Sequence, residues 1–196
     1  MASNPDRGVG VRIVLGMIVV MWSLEVVDLL TGNPLDALGI RPRDVDRLAG
    51  VVIAPFLHFG FAHLTANTVP FVVLGTLIAL EGARRLLIVT ALAALCSGAG
   101  VWLIGPSSSV TAGASGLVFG YAAYLVARGV IARSVRHMAI GAVVITVWGA
   151  GLITGLLPQA GVSWQGHLFG AAGGVLAARV IQRRARTATA VGHDRA

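Results

Sequence analysis

The chain has 196 residues, 56% of them hydrophobic and 12% charged, with a formal net charge of +7. A soluble domain carries about twice that charged fraction, so composition excludes an ordinary water-soluble enzyme and leaves a one-domain polytopic protein of the lipid bilayer. All 15 basic residues are Arg, dispersed at segment ends without base-reading companions, which excludes nucleic acid as a partner despite an isoelectric point near 11.4.

Six apolar segments follow in chain order: Val11–Leu30, Phe61–Leu80, Leu86–Ile104, Ser115–Ala127, Met138–Leu157 and Trp164–Ile181. Each is measured against the ~20 residues that a spanning helix requires. The fold class expected is an all-α membrane bundle of six helices over residues 11–182. The first segment is too long for a signal-peptide core and lacks a small-residue cleavage site, so it is expected to remain as an anchor. Met1–Gly10 and the basic stretch Arg183–Ala196 are expected to be polar tails, the second disordered near the headgroups. The lone Cys96 excludes an internal disulfide and fits a small core residue. With no CxxC pair and no metal-ligand spacing, no metal or other cofactor is expected.

Arg sorts by connection. Arg7 and Arg12 precede the first helix, Arg84 and Arg85 follow the second, and Arg128, Arg133 and Arg136 follow the fourth. Arg179, Arg183, Arg184, Arg186 and Arg195 end the chain, the third-to-fourth and fifth-to-sixth connections have none, and only the first connection, with Arg41, Arg43 and Arg47, breaks the pattern. The positive-inside rule then places both termini in the cytoplasm, in what composition suggests is a bacterial inner membrane. The second, fourth and sixth helices would all start outside.

The fourth segment is short: 13 residues from Ser115 to Ala127, or about 20 Å against a hydrocarbon core of about 30 Å. With Arg128 at the inner boundary, Ser115 would lie about 10 Å below the outer one. Gly105–Gly113 would dip into the bilayer, which is tolerated only beside a wet cavity or inside protein. Helix rise puts His167 about 18 Å above Arg179 and Asn67 about 21 Å above Glu81, so three polar residues share a depth.

Ser115 offers a nucleophile and His167 a base, the pair that acyl transfer needs. Taken singly, Ser115 equally suits a helix cap or packing residue, and His167 a polar tie between helices. His63 and Asn67, at i and i+4, share a helix face and can donate to an oxyanion beside the Ser115 amide. Gly116 and Gly120, with Gly166, Gly170 and Gly174, form small-residue faces that let two helices approach closely. His58 suits an interfacial or loop-stabilising role, and a metal held by His58, His63 and His167 is disfavoured because no carboxylate or cysteine is near in sequence. Glu25 and Asp28 fit an interfacial position at the outer end of the first helix.

His58–Asn67 resembles the HxxxxHxxxN stretch of rhomboid intramembrane serine proteases. Gly113-Ala114-Ser115-Gly116 resembles their GxSG motif, and the run from His167 through Gly170 to Gly174 resembles their HxxGxxxG helix. The resemblance implies an intramembrane serine endopeptidase acting on transmembrane segments of other proteins. It implies Ser115 as nucleophile, His167 as base, and His63, Asn67 and the Ser115 amide as the oxyanion site. It also implies substrate access between the second and fifth helices, near Trp148. Two positions depart from the family pattern. No Trp-Arg pair occurs in Arg41–Val52, and Phe119 stands where many members have Tyr, able to stack on the histidine but lacking a hydroxyl. The competing readings are a non-catalytic rhomboid-like protein that binds membrane clients, and a small transporter. The second would need more ionisable residues inside the helices.

Overall fold

A computed structural model describes the backbone of residues 5–193 and the side chains of residues 6–184. The described chain is helical: α1 (Pro5–Thr31), a short α2 (Gly50–Ile53), α3 (Phe61–Ala79), α4 (Ala83–Ile104), α5 (Ser115–Ala132), α6 (Val135–Gly155) and α7 (Trp164–His193), with three single 3-10 turns between α1 and α3. Five of these, α1, α3, α4, α5 and α6, are long and apolar enough to cross a membrane. The sixth expected span, α7, has 30 residues but falls short in apolarity because Gln165, His167, Arg179 and four glycines interrupt its first turns and middle.

α5 is the hub. It packs against α7, α6, α4 and α3, and α7 packs almost as extensively on α4. The reason lies in the glycines: a Cβ at Gly170 or Gly174 would run into the main-chain carbonyl of Gly116 or Gly120. Ser97 on α4 seals the third side by donating to the Gly166 carbonyl at 2.9 Å. Below the site the core is built from Phe71, Leu74, Leu117, Tyr121 and Tyr124, all buried. The Phe71 and Tyr121 rings meet at 5.4 Å, and the Tyr121 hydroxyl pairs with Thr90 at 2.7 Å.

Several expected boundaries move. α5 has 18 residues and runs to Ala132, past Ala127, and Arg128 within it pairs with Glu81 at the α3–α4 turn. α1 starts at Pro5, taking up most of the expected N-terminal tail, and α7 continues to His193, well past Ile181. The side chain of Arg186 and the whole of Arg195 lie outside the described residues. Glu25 and Asp28 are buried within the protein, at 6% and 4% exposure, and Asp28 accepts the Leu35 amide at 2.7 Å.

The long α1–α3 connection docks on the α4–α5 connection without a Trp-Arg pair of its own. Ile40 and Thr111 exchange backbone hydrogen bonds at 2.8 and 3.0 Å. Arg43 donates to the Leu103 carbonyl at 3.1 Å and to Ser107, while the Trp102 indole donates to the Asp44 carbonyl at 3.1 Å. A Trp and an Arg do clasp this loop, but they come from two different elements.

Candidate active site

Ser115 is the first residue of α5, so its N–H has no intrahelical acceptor and points free at the helix start. Two contacts shape the approach to it. Gly113 has φ +127°, a conformation open to glycine, and a Cβ there would lie 2.7 Å from the His63 ring. The next amide, Ala114 N–H, donates to His58 Nε2 at 3.2 Å, and the Gly113 N–H donates to the Ala54 carbonyl at 2.9 Å. The turn that delivers the serine is thus held from the α1–α3 connection. Burial, reinforced by neighbouring His63, pushes the His58 pKa down to about 4, which keeps its Nε2 free to accept.

His167 lies in the first turn of α7. Its Nε2 is 2.8 Å from Ser115 Oγ, and its Nδ1 is 2.7 Å from the Gly155 carbonyl oxygen. A carbonyl only accepts, so Nδ1 carries the hydrogen and Nε2 presents a lone pair to the serine hydroxyl. The Phe119 ring lies flat under the imidazole, with centroids 4.1 Å apart and planes 5° from parallel. Stacking therefore proceeds without the hydroxyl that a Tyr would add.

On α3, the His63 ring stacks on Phe59 at 6.5 Å and meets the His58 ring edge-on at 5.2 Å. Asn67 is buried and donates one amide hydrogen to the His63 carbonyl at 2.9 Å. His63, Asn67, Ser115 and His167 all line one open cavity of about 930 Å³, closed on its far side by the α6–α7 connection at Pro158–Gln165. The structure therefore places Ser115, His167, His63 and Asn67 around one space. Gly113, Gly116, Gly170, Gly174 and Phe119 occupy the packing positions around it. Trp148 is half-buried against the core from α6.

The sequence pattern of the Rhomboid domain matches residues 45–184. The chain belongs to the rhomboid family. It is also 42% identical, over 96% of its length and 82% of theirs, to uncharacterized proteins of Mycobacterium tuberculosis and Mycobacterium bovis. A Mycobacterium leprae protein, likewise uncharacterized, is 39% identical over 95% of this chain and 78% of its own. The site residues of this rhomboid thus sit in an all-helical membrane domain, with the family match covering every polar residue around the cavity.

Three contributors to the site escape sequence reading. Gly155 acts through its main chain, which leaves no residue-type signal. Gln165 is buried at the cavity wall; it stood two residues from His167 and was detectable as a polar residue in an apolar segment. Ser97 works through a partner on a helix distant in sequence.

Proposed function

We propose that this rhomboid is an intramembrane serine endopeptidase that cuts transmembrane segments of other membrane proteins. The observation that carries the reading is the 2.8 Å contact between Ser115 Oγ and an imidazole nitrogen of His167 whose partner nitrogen must hold the hydrogen. Ser115 attacks the peptide carbonyl while its proton passes to His167 Nε2. The carbonyl oxygen gains negative charge and is met by the Ser115 amide, the His63 ring and the second amide hydrogen of Asn67. His167 returns the proton to the departing amine, and the chain is left as an acyl ester on Ser115. Water entering by the open cavity, deprotonated by His167, releases the second product. No acid orients His167, so the machinery is a dyad.

In this reading all six long helices span the membrane, α7 included, with its polar residues sheltered by α4 and α5. Both termini face the cytoplasm, and the cavity opens toward the outer surface of the cell membrane. A helical substrate keeps its carbonyls hydrogen-bonded, so the scissile stretch must unwind, and helix-breaking residues near its outer end favour cleavage.

The test is cleavage of a single-span substrate by purified protein in detergent, with products located by mass spectrometry. Wild type is expected to cut near the outer end and to be labelled at Ser115 by a fluorophosphonate. Ser115→Ala and His167→Ala each abolish cleavage, and the double variant is no worse, because the two residues act as a unit. Sustained proteolysis by Ser115→Ala removes the nucleophile assignment. A well-folded wild type that binds membrane clients but neither cuts nor labels supports the non-catalytic alternative.

A further inference from the structure

The base is steadied by a helix that buries little of its own surface in the protein. Of the 21 residues of α6 only Gly141 and Val144 are buried, and its extensive packing is against α5 alone. Yet its C-terminal residue carries the acceptor that holds His167, 2.7 Å away. The carbonyls in the last turn of a helix lack intrahelical donors, so Gly155 has an acceptor to offer. The absence of a side chain permits the approach: a Cβ at Gly155 would stand 2.6 Å from the Phe119 ring and 3.1 Å from His167 Nδ1. The imidazole is thereby fixed on three sides, by Phe119 on its face, Ser115 at one edge and Gly155 at the other.

We propose that the Gly155 main-chain carbonyl is the positioning group for His167, fixing both the plane of the imidazole and the tautomer that leaves Nε2 free to take a proton. This deepens the dyad reading of Ser115 and His167 and rests on it. The carbonyl takes no proton and forms no bond to substrate. Its part is the one an orienting carboxylate plays in a triad, performed by a neutral dipole. The two ends of α6 then have different roles, since its first turn approaches Glu81 through His137, on the far side of the molecule from the cavity.

The experiment replaces Leu156 in the full chain with its α-hydroxy acid, turning the 155–156 amide into an ester whose carbonyl is a weaker acceptor. This also removes the Leu156 N–H that donates to the Ile153 carbonyl at 3.1 Å. The matched control is the same change at Leu157, which removes an N–H donated to the Thr154 carbonyl at 3.1 Å but leaves the Gly155 carbonyl an amide. Histidine is labelled with ¹⁵N to read the His167 tautomer, and kcat and KM are measured on the single-span substrate. The Leu156 ester is expected to lower kcat about tenfold, short of the about 10⁴-fold that a wrong tautomer costs a serine triad. KM stays within about twofold, and an Nε2–H population of His167 appears. The Leu157 ester is expected to match wild type in both readouts. Equal kcat in the two esters, or an unchanged His167 tautomer in the Leu156 ester, overturns the proposal. The tautomer comparison needs no substrate, so a wild type without proteolytic activity would sink the protease reading while this test still decides the role of Gly155.

Discussion

His63 and Asn67 differ in how much freedom the structure leaves them. The His63 ring is boxed by Phe59, His58 and the Gly113 turn, whereas Asn67 has one amide hydrogen committed to the His63 carbonyl and one to offer. In the proposed mechanism both meet the substrate oxygen only once charge develops, so His63→Ala or Asn67→Ala is expected to lower kcat by about 10²–10³ with little change in KM. Steady-state cleavage in detergent measures this, and full turnover by the double variant would make both residues structural. His58 works differently, through the Ala114 amide at the neck of the nucleophile turn. Its folded-state pKa of about 4 lies below the ordinary 6.5, so between these values the unfolded chain binds the extra proton. Stability is therefore expected to fall as pH drops from about 6.5 to about 4, and to be flat in that respect below. His58→Gln, a neutral side chain that still accepts, removes this component, which thermal unfolding against pH will show. The residue types at these positions were legible before any coordinates, since a hydroxyl, an imidazole and an amide are conspicuous among Val, Leu and Ala. What a main-chain atom does was not: Gly155 looks like any other glycine until the fold brings it to His167.

At the scale of helices, the spacing of Gly166, Gly170 and Gly174 announced a close-packed face, and the structure shows that a side chain at Gly170 or Gly174 would collide with the α5 backbone. Gly174→Val must push α7 away from the Gly120 carbonyl, which cannot yield as a side chain would. We expect a loss of about 3 kcal/mol, at the upper end of overpacking costs. Gly151→Val on α6 faces open space and should change stability by no more than about 0.5 kcal/mol. Unfolding in mixed detergent compares the two, and equal losses would refute the packing argument. Helix ends were less legible than helix faces. α5 runs on past Arg128 to Ala132, and Arg128 pairs with Glu81 at the α3–α4 turn, a pairing that chain order conceals. The loop clasp of Arg43 and Trp102 was hidden for the same reason, because each residue supplies half of it from a different element.

For the molecule as a whole, the Glu81 cluster joins the α3–α4 turn to α5 and α6. Arg85 approaches the carboxylate at 3.2 Å, the Tyr124 hydroxyl donates at 3.3 Å, and Arg128 pairs with the other oxygen. Glu81→Ala strands Arg128 among half-buried helices and is expected to cost about 3 kcal/mol. Glu81→Leu combined with Arg128→Leu should recover most of it, and chemical unfolding of the set decides. A different consequence follows from α7. It is the least able of the long helices to partition into lipid unaided, because Gln165, His167 and Arg179 lie along its glycine-rich surface. Its insertion must be templated: α4 and α5 have to be in place, with their own small-residue faces turned inward, before α7 can settle. Biogenesis and catalytic competence are then a single event. A nascent chain whose α7 fails to find its slot presents a stranded polar helix to the quality-control proteases of the cell, so damage to the glycine seam should appear as missing protein before it appears as slow enzyme.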